Sequence, residues 1–143
     1  LSVMYPEADV PVLQMAIPSV EPERLYRLGQ QLAPLRDEGV LIVGSGFMTH
    51  GLPFIEMRDP AVVPPAWSSE FDHWATDALT RGALDELFDY QTRAPGLSFA
   101  HPTVEHFIPL FVALGAASGD STPPRSTIDG YWYGLAKRSF EMG

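Results

Sequence analysis

The sequence predicts an α/β fold, a mostly parallel sheet with flanking helices, and three observations carry that expectation. Residues Val10 to Ile17 are mostly apolar with little alternation, which suits a strand buried on both faces; Gln14 is the exception. From Pro22 onward, leucines recur at helical spacing. Val40-Leu41-Ile42-Val43 then forms a short apolar run between Gly39 and Gly44. Strand, helix and strand in that order read as one βαβ unit with a parallel pair.

The helix of that unit starts at Pro22, whose fixed φ suits a first helical position. Leu25, Leu28, Leu32 and Leu35 form its apolar stripe, Pro34 bends its last turn and Gly39 stops it. After the second strand comes Gly44-Ser45-Gly46-Phe47-Met48-Thr49-His50-Gly51, at the end of a parallel sheet where functional groups gather. Nucleotide binding is rejected there: position 49 is Thr where GxGxxG needs Gly, and no Walker lysine follows. Ser45 fails as a GxSxG nucleophile because position 43 is Val. What remains is His50 on a flexible loop, either a surface histidine or a functional one.

Residues 53 to 65 are Pro-rich and read as an ordered surface loop. Ser68 or Ser69 is expected to cap the next helix, where Trp67, Phe71, Trp74, Ala78 and Leu79 form a core stripe and His73 faces solvent. A shorter helical run spans Ala83 to Tyr90. The last helix is expected to start at Pro102 or Thr103 and to run to about Ala117. Thr127 to Phe140 suits one or two strands broken at Gly130 and Gly134.

That last helix opens with Ala100-His101-Pro102-Thr103-Val104-Glu105-His106, two histidines and a carboxylate ahead of a greasy stretch. In a first helical turn the dipole would disfavour imidazolium and keep His106 neutral, the form that binds metal. Pro109 would kink the helix just past the pair. Read by itself, His106 is either a hydrogen-bonded core histidine or a metal ligand.

Composition narrows the classes. A chain of 143 residues with 45% hydrophobic and 19% charged residues suits one globular domain, or half of a larger one. Net charge −9 argues against nucleic acid and anionic membranes as partners. No apolar run reaches membrane-spanning length and no signal peptide is apparent, so a soluble cytoplasmic protein is expected. With no cysteine, any metal must be held by His and carboxylate. The chain starts at Leu1 without Met, as a fragment or processed chain would.

Three stretches together resemble the class III extradiol ring-cleavage dioxygenases, in the branch of the DOPA 4,5-dioxygenases and the protocatechuate 4,5-dioxygenase catalytic subunit. They are Leu35 to Gly46 leading to His50; Glu70-Phe71-Asp72 with Trp74; and His101-Pro102-Thr103 with Glu105-His106 and Pro109-Leu110. Tyr5-Pro6 and Pro11 to Gln14 also fit. The resemblance covers nearly the whole chain but only the C-terminal half of the family's domain, whose N-terminal half carries two metal histidines.

This resemblance implies a non-haem Fe(II), or Zn(II), that binds a catechol and O2, with His106 as third metal ligand and His50 as the acid/base. Ser45, Thr49, His101 and Glu105 become candidate pocket or supporting residues. Gly51 departs from the Asn that many relatives carry after the loop histidine. A second chain bringing the N-terminal half, or self-association, is expected, because half of a parallel sheet leaves an open edge. The competing expectation is a non-catalytic half-fold that serves as a scaffold or ligand-binding protein.

Overall fold

The computed structural model describes residues 3, 5–55 and 57–143. Helix α1, Pro22–Leu32, begins with proline at its first position and buries Leu25 completely. Pro34 cannot donate to the preceding turn, so the chain breaks there and restarts as α2, Pro34–Asp37. Gly39 follows with φ +84°, a left-handed value that ends the helical run.

Helix α3, Ala66–Arg81, is the longest, and it ends on Gly82 in the left-handed conformation. It starts ahead of the expected serine caps: Pro65 takes the cap position and Ser68 lies inside the helix, fully buried. The expected run from Ala83 to Tyr90 splits into α4, Leu84–Phe88, and α5, Tyr90–Arg93. A one-turn helix α6, Leu97–Ala100, precedes α7, Pro109–Ala116.

Helix α7 corrects one expectation. Residues 102–108 form turns rather than a first helical segment, and Pro109 begins the helix instead of kinking it. A proline without an N–H fits a first helical position better than an interior one. The dipole argument for a neutral His106 therefore does not apply, since His106 precedes the helix.

The core is an aromatic column, with Phe107 edge-on to both Phe71 and Phe111 at 5.2 and 5.5 Å and Tyr90 tilted against it. Leu25, Leu79 and Leu87 seal its sides. Helix α1 crosses α7 at backbone contact: a Cβ on Gly29 would meet the Val112 carbonyl oxygen at 2.1 Å, and one on Gly115 the Tyr26 carbonyl oxygen at 2.0 Å.

The strands also differ from expectation. Among the described residues the sheets are two small antiparallel pairs, β1 (Arg125–Ile128) with β4 (Ser139–Glu141), and β2 (Tyr131–Trp132) with β3 (Leu135–Ala136). Residues 10–17 and 40–43 run without a ladder, and no parallel pair forms among the described residues. Apolar run length reports a demand for burial, but a ladder also needs a neighbouring strand, and the described residues place none beside these segments. Their side chains stay open, Leu13 97% and Leu41 68% exposed.

Arg138 holds the C-terminal strands onto α3, donating from Nε and Nη2 to the fully buried Asp72 carboxylate at 2.5 and 2.7 Å. A groove of about 1170 Å³ lies between residues 39–48, α7 and the C-terminal residues, and its lining includes Ser45, Gly46 and His106. None of the described helices is long and apolar enough to cross a membrane.

Candidate active site

The site forms where residues 46–51 lie along residues 99–109. Backbone bonds tie the two stretches together: the Phe47 N–H donates to the His106 carbonyl at 2.9 Å, and the His50 N–H to the Ala100 carbonyl at 2.7 Å. Such contact needs bare backbone. A Cβ on Gly46 would sit 2.0 Å from the His106 carbonyl oxygen, and one on Gly44 2.6 Å from that of Pro109. The loop glycines therefore serve close approach to the histidine segment, a use that explains them without any phosphate.

The outcome is a pair of imidazoles. The rings of His50 and His106 stack with centroids 3.6 Å apart and planes 21° apart. Burial and the adjacent His106 push the His50 pKa below its ordinary 6.5, while Glu105 opposes the shift. A neutral, half-buried His50 is ready to accept a proton. Glu105 is exposed, with Oε1 4.0 Å from His106 Nε2. The Thr103 hydroxyl donates to that carboxylate at 2.6 Å and holds its pKa below the ordinary range.

Thr49, between these elements, is fully buried. Its Oγ1 accepts the Ala136 N–H at 2.7 Å and lies 2.9 Å from Ser68 Oγ. His101, also buried, points Nε2 at the Met48 carbonyl at 2.8 Å.

The stack limits what the pair can do with a metal. An imidazole binds through a lone pair in its own ring plane, at about 2.0–2.1 Å for zinc. An ion in the plane of one stacked ring lies beyond bonding reach of the other. Only one of these two histidines can hold a given ion, and among the described residues no group of three His, Asp or Glu is placed to hold one. The residues fit one corner of a metal site, and the second imidazole cannot share the ion.

Comparison with known proteins gives this pair its context. Residues 1–135 match the family described as the catalytic LigB subunit of aromatic ring-opening dioxygenase. The chain belongs to the LigB family. It is 48% identical over 122 residues to the 4,5-DOPA dioxygenase extradiol of Beta vulgaris, covering 85% of this chain and 45% of that protein. To the protein of the same name from Escherichia coli K12 it is 33% identical over 145 residues, covering 98% of this chain and 52% of that one. The crystal structure of an uncharacterized protein from Escherichia coli K12 superposes with a TM-score of 0.85 at 31% identity, covering 99% of this chain and 59% of the other. This LigB-family chain thus spans about half the length of the curated relatives it matches.

The resemblance to class III extradiol dioxygenases stands at the level of the family. Of the candidate residues in this LigB chain, His50 and His106 come together, with Glu105 beside them. Ser45 is exposed along the groove, while Thr49 and His101 are buried behind the loop. Gly51 also has a local cause, since a Cβ there would meet the Phe99 carbonyl oxygen at 2.3 Å and the Trp67 ring at 2.7 Å.

Sequence reasoning missed Ser68, Asp72 and Arg138 as supports. Ser68 and Asp72 share the buried face of α3 with Phe71, Ala75, Ala78 and Leu79. Two polar residues on an apolar stripe are a readable signal of buried partners. Nothing local marked Arg138, whose partner Asp72 lies far back in the chain.

Proposed function

We propose that this chain supplies one metal ligand, His106, and the proton-handling base, His50, of an extradiol dioxygenase site that opens a catechol ring with O2. The other half of a LigB-family domain completes the site. The observation that carries this reading is the His50–His106 stack, in which one imidazole is free to ligate and the other is held beside it, neutral and unable to reach the same ion.

The metal is Fe(II), with Zn(II) as the alternative; when bound, it would bring the catechol oxygens and O2 together. The chain's own residues handle the proton. Neutral His50 takes the proton of a catechol hydroxyl on a ring nitrogen and returns it as the ring-opened product forms, so that both atoms of O2 enter the product and no proton is lost. Thr103 keeps Glu105 ionised beside His106, where the carboxylate favours positive charge at the site.

The same reading explains the unladdered segments. On this reading residues 10–17 and 40–43 become strands of a parallel sheet when the other half of a LigB-family domain pairs with them, covering Val12, Leu13, Leu41 and Val43. The test is to mix this chain with the separately expressed N-terminal half of the Beta vulgaris relative, Fe(II) and L-DOPA, and to follow a product heavier than the substrate by one O2. Turnover that His50→Ala abolishes supports the proposal. A stable complex with metal and no product would favour a non-catalytic half-fold instead.

A further inference from the structure

We propose that His101 is a positioning residue, whose Nε2–H grips the Met48 carbonyl and so holds His50 in register with His106. The geometry concerns this chain alone; its value to catalysis rests on the ring-cleavage reading above.

The argument starts from what surrounds the ring. His101 is 3% exposed and lies between Phe71, edge-on at 5.0 Å, and Phe107 at 5.3 Å. Burial pushes its pKa down to about 4, so at neutral pH the ring carries one N–H. A carbonyl only accepts, so the Nε2···Met48 O contact of 2.8 Å fixes that hydrogen on Nε2. Nδ1 is then a buried lone pair with no partner. Leaving a buried acceptor unpaired costs about 1–3 kcal/mol, a penalty that phenylalanine in the same aromatic slot would avoid. The donor to Met48 is what histidine adds.

That donor completes a chain of anchors. Met48 is held at its carbonyl by His101, Thr49 at its hydroxyl by Ala136 and Ser68, and His50 at its N–H by the Ala100 carbonyl. Two of these anchors come from adjacent residues, Ala100 and His101, on the stretch that leads into His106. The loop is thus registered against the very segment that carries its stacking partner, and His101 is the only side chain of that segment to bond the loop among the described hydrogen bonds.

Two variants separate the donor from the volume: His101→Gln can still donate to Met48, whereas His101→Phe fills the slot without a donor. In the purified chain, the ring-to-ring NOE between His50 and His106 and the exchange rate of the His50 amide are measured by NMR. His101→Phe should lose the NOE and speed His50 exchange about five- to tenfold, while amides of Leu79 and Phe111 keep their protection. His101→Gln should restore both. The proposal is overturned if His101→Phe keeps the NOE and the protection, or if both variants lose them equally. Should His101→Phe fail to fold, the native chain still decides, because ring 15N shifts must report the Nε2–H tautomer of His101; an Nδ1–H tautomer would overturn the proposal. None of these readouts uses turnover, so they hold or fail separately from the dioxygenase reading. In the complemented enzyme, the expected signature is a fall in kcat with KM unchanged for His101→Phe, recovered by His101→Gln.

Discussion

His50 and His106 stack ring on ring, 3.6 Å between centroids, although they come from separate segments, tied by backbone bonds at Phe47 and His50. The contact divides the labour of the pair. One ring can present its lone pair to an ion only if the other does not. His50→Ala in the complemented enzyme should therefore lower kcat by about 10²-fold or more and leave bound metal intact, as loss of a general base does. Steady-state kinetics beside metal analysis of the same sample checks this.

Close backbone approach at Gly46 holds the two segments together. Gly46→Ala places a Cβ 2.0 Å from the His106 carbonyl oxygen, so the backbone must move and the Phe47 bond must lengthen. Overpacking of this kind costs about 1–3 kcal/mol. Urea unfolding should show that loss, and NMR should show the His50–His106 NOE weakened. Gly119→Ala, where a Cβ meets nothing within 4 Å, is the control.

His101 makes stability depend on pH. Its pKa falls from 6.5 when unfolded to about 4 when folded, so above pH 6.5 both states are neutral and its contribution is complete. As pH falls from 6.5 to 4, the unfolded chain binds a proton that the folded chain refuses, and stability drops by about 3 kcal/mol. His50, lowered in the same sense, adds to the loss. Urea midpoints for the native chain should fall more between pH 7 and 4.5 than those of His101→Gln.

The Asp72–Arg138 pair joins α3 to the C-terminal strands. Asp72→Asn leaves the largely buried Arg138 guanidinium without its countercharge, with a loss of about 3–5 kcal/mol. Replacing both, Asp72→Leu with Arg138→Met, should recover much of that loss. Denaturant titration of the three variants checks both statements.

The α1 and α3 stripes were legible in the sequence because their signals are local spacing, while Pro34, expected to bend the helix, breaks it into α1 and α2. Other features depended on distant partners. Thr49 looks like any loop threonine until Ala136 and Ser68 surround it, and Ser68 looks like a cap until the helix starts ahead of it. Val40 to Val43 read as a strand from its side chains alone, but a ladder requires a neighbour that the described residues do not supply. Pro109 fits both a kink and a helix start, and only the turns of residues 102–108 decide between them.

The most direct test of a shared metal site is native mass spectrometry of this chain mixed with the N-terminal half of the Beta vulgaris relative and Fe(II). A one-to-one complex carrying one metal ion is expected, with the ion lost in His106→Ala and kept in His50→Ala. A complex that keeps its metal after His106→Ala, or one that loses it after His50→Ala, would contradict the assignment of ligand and base.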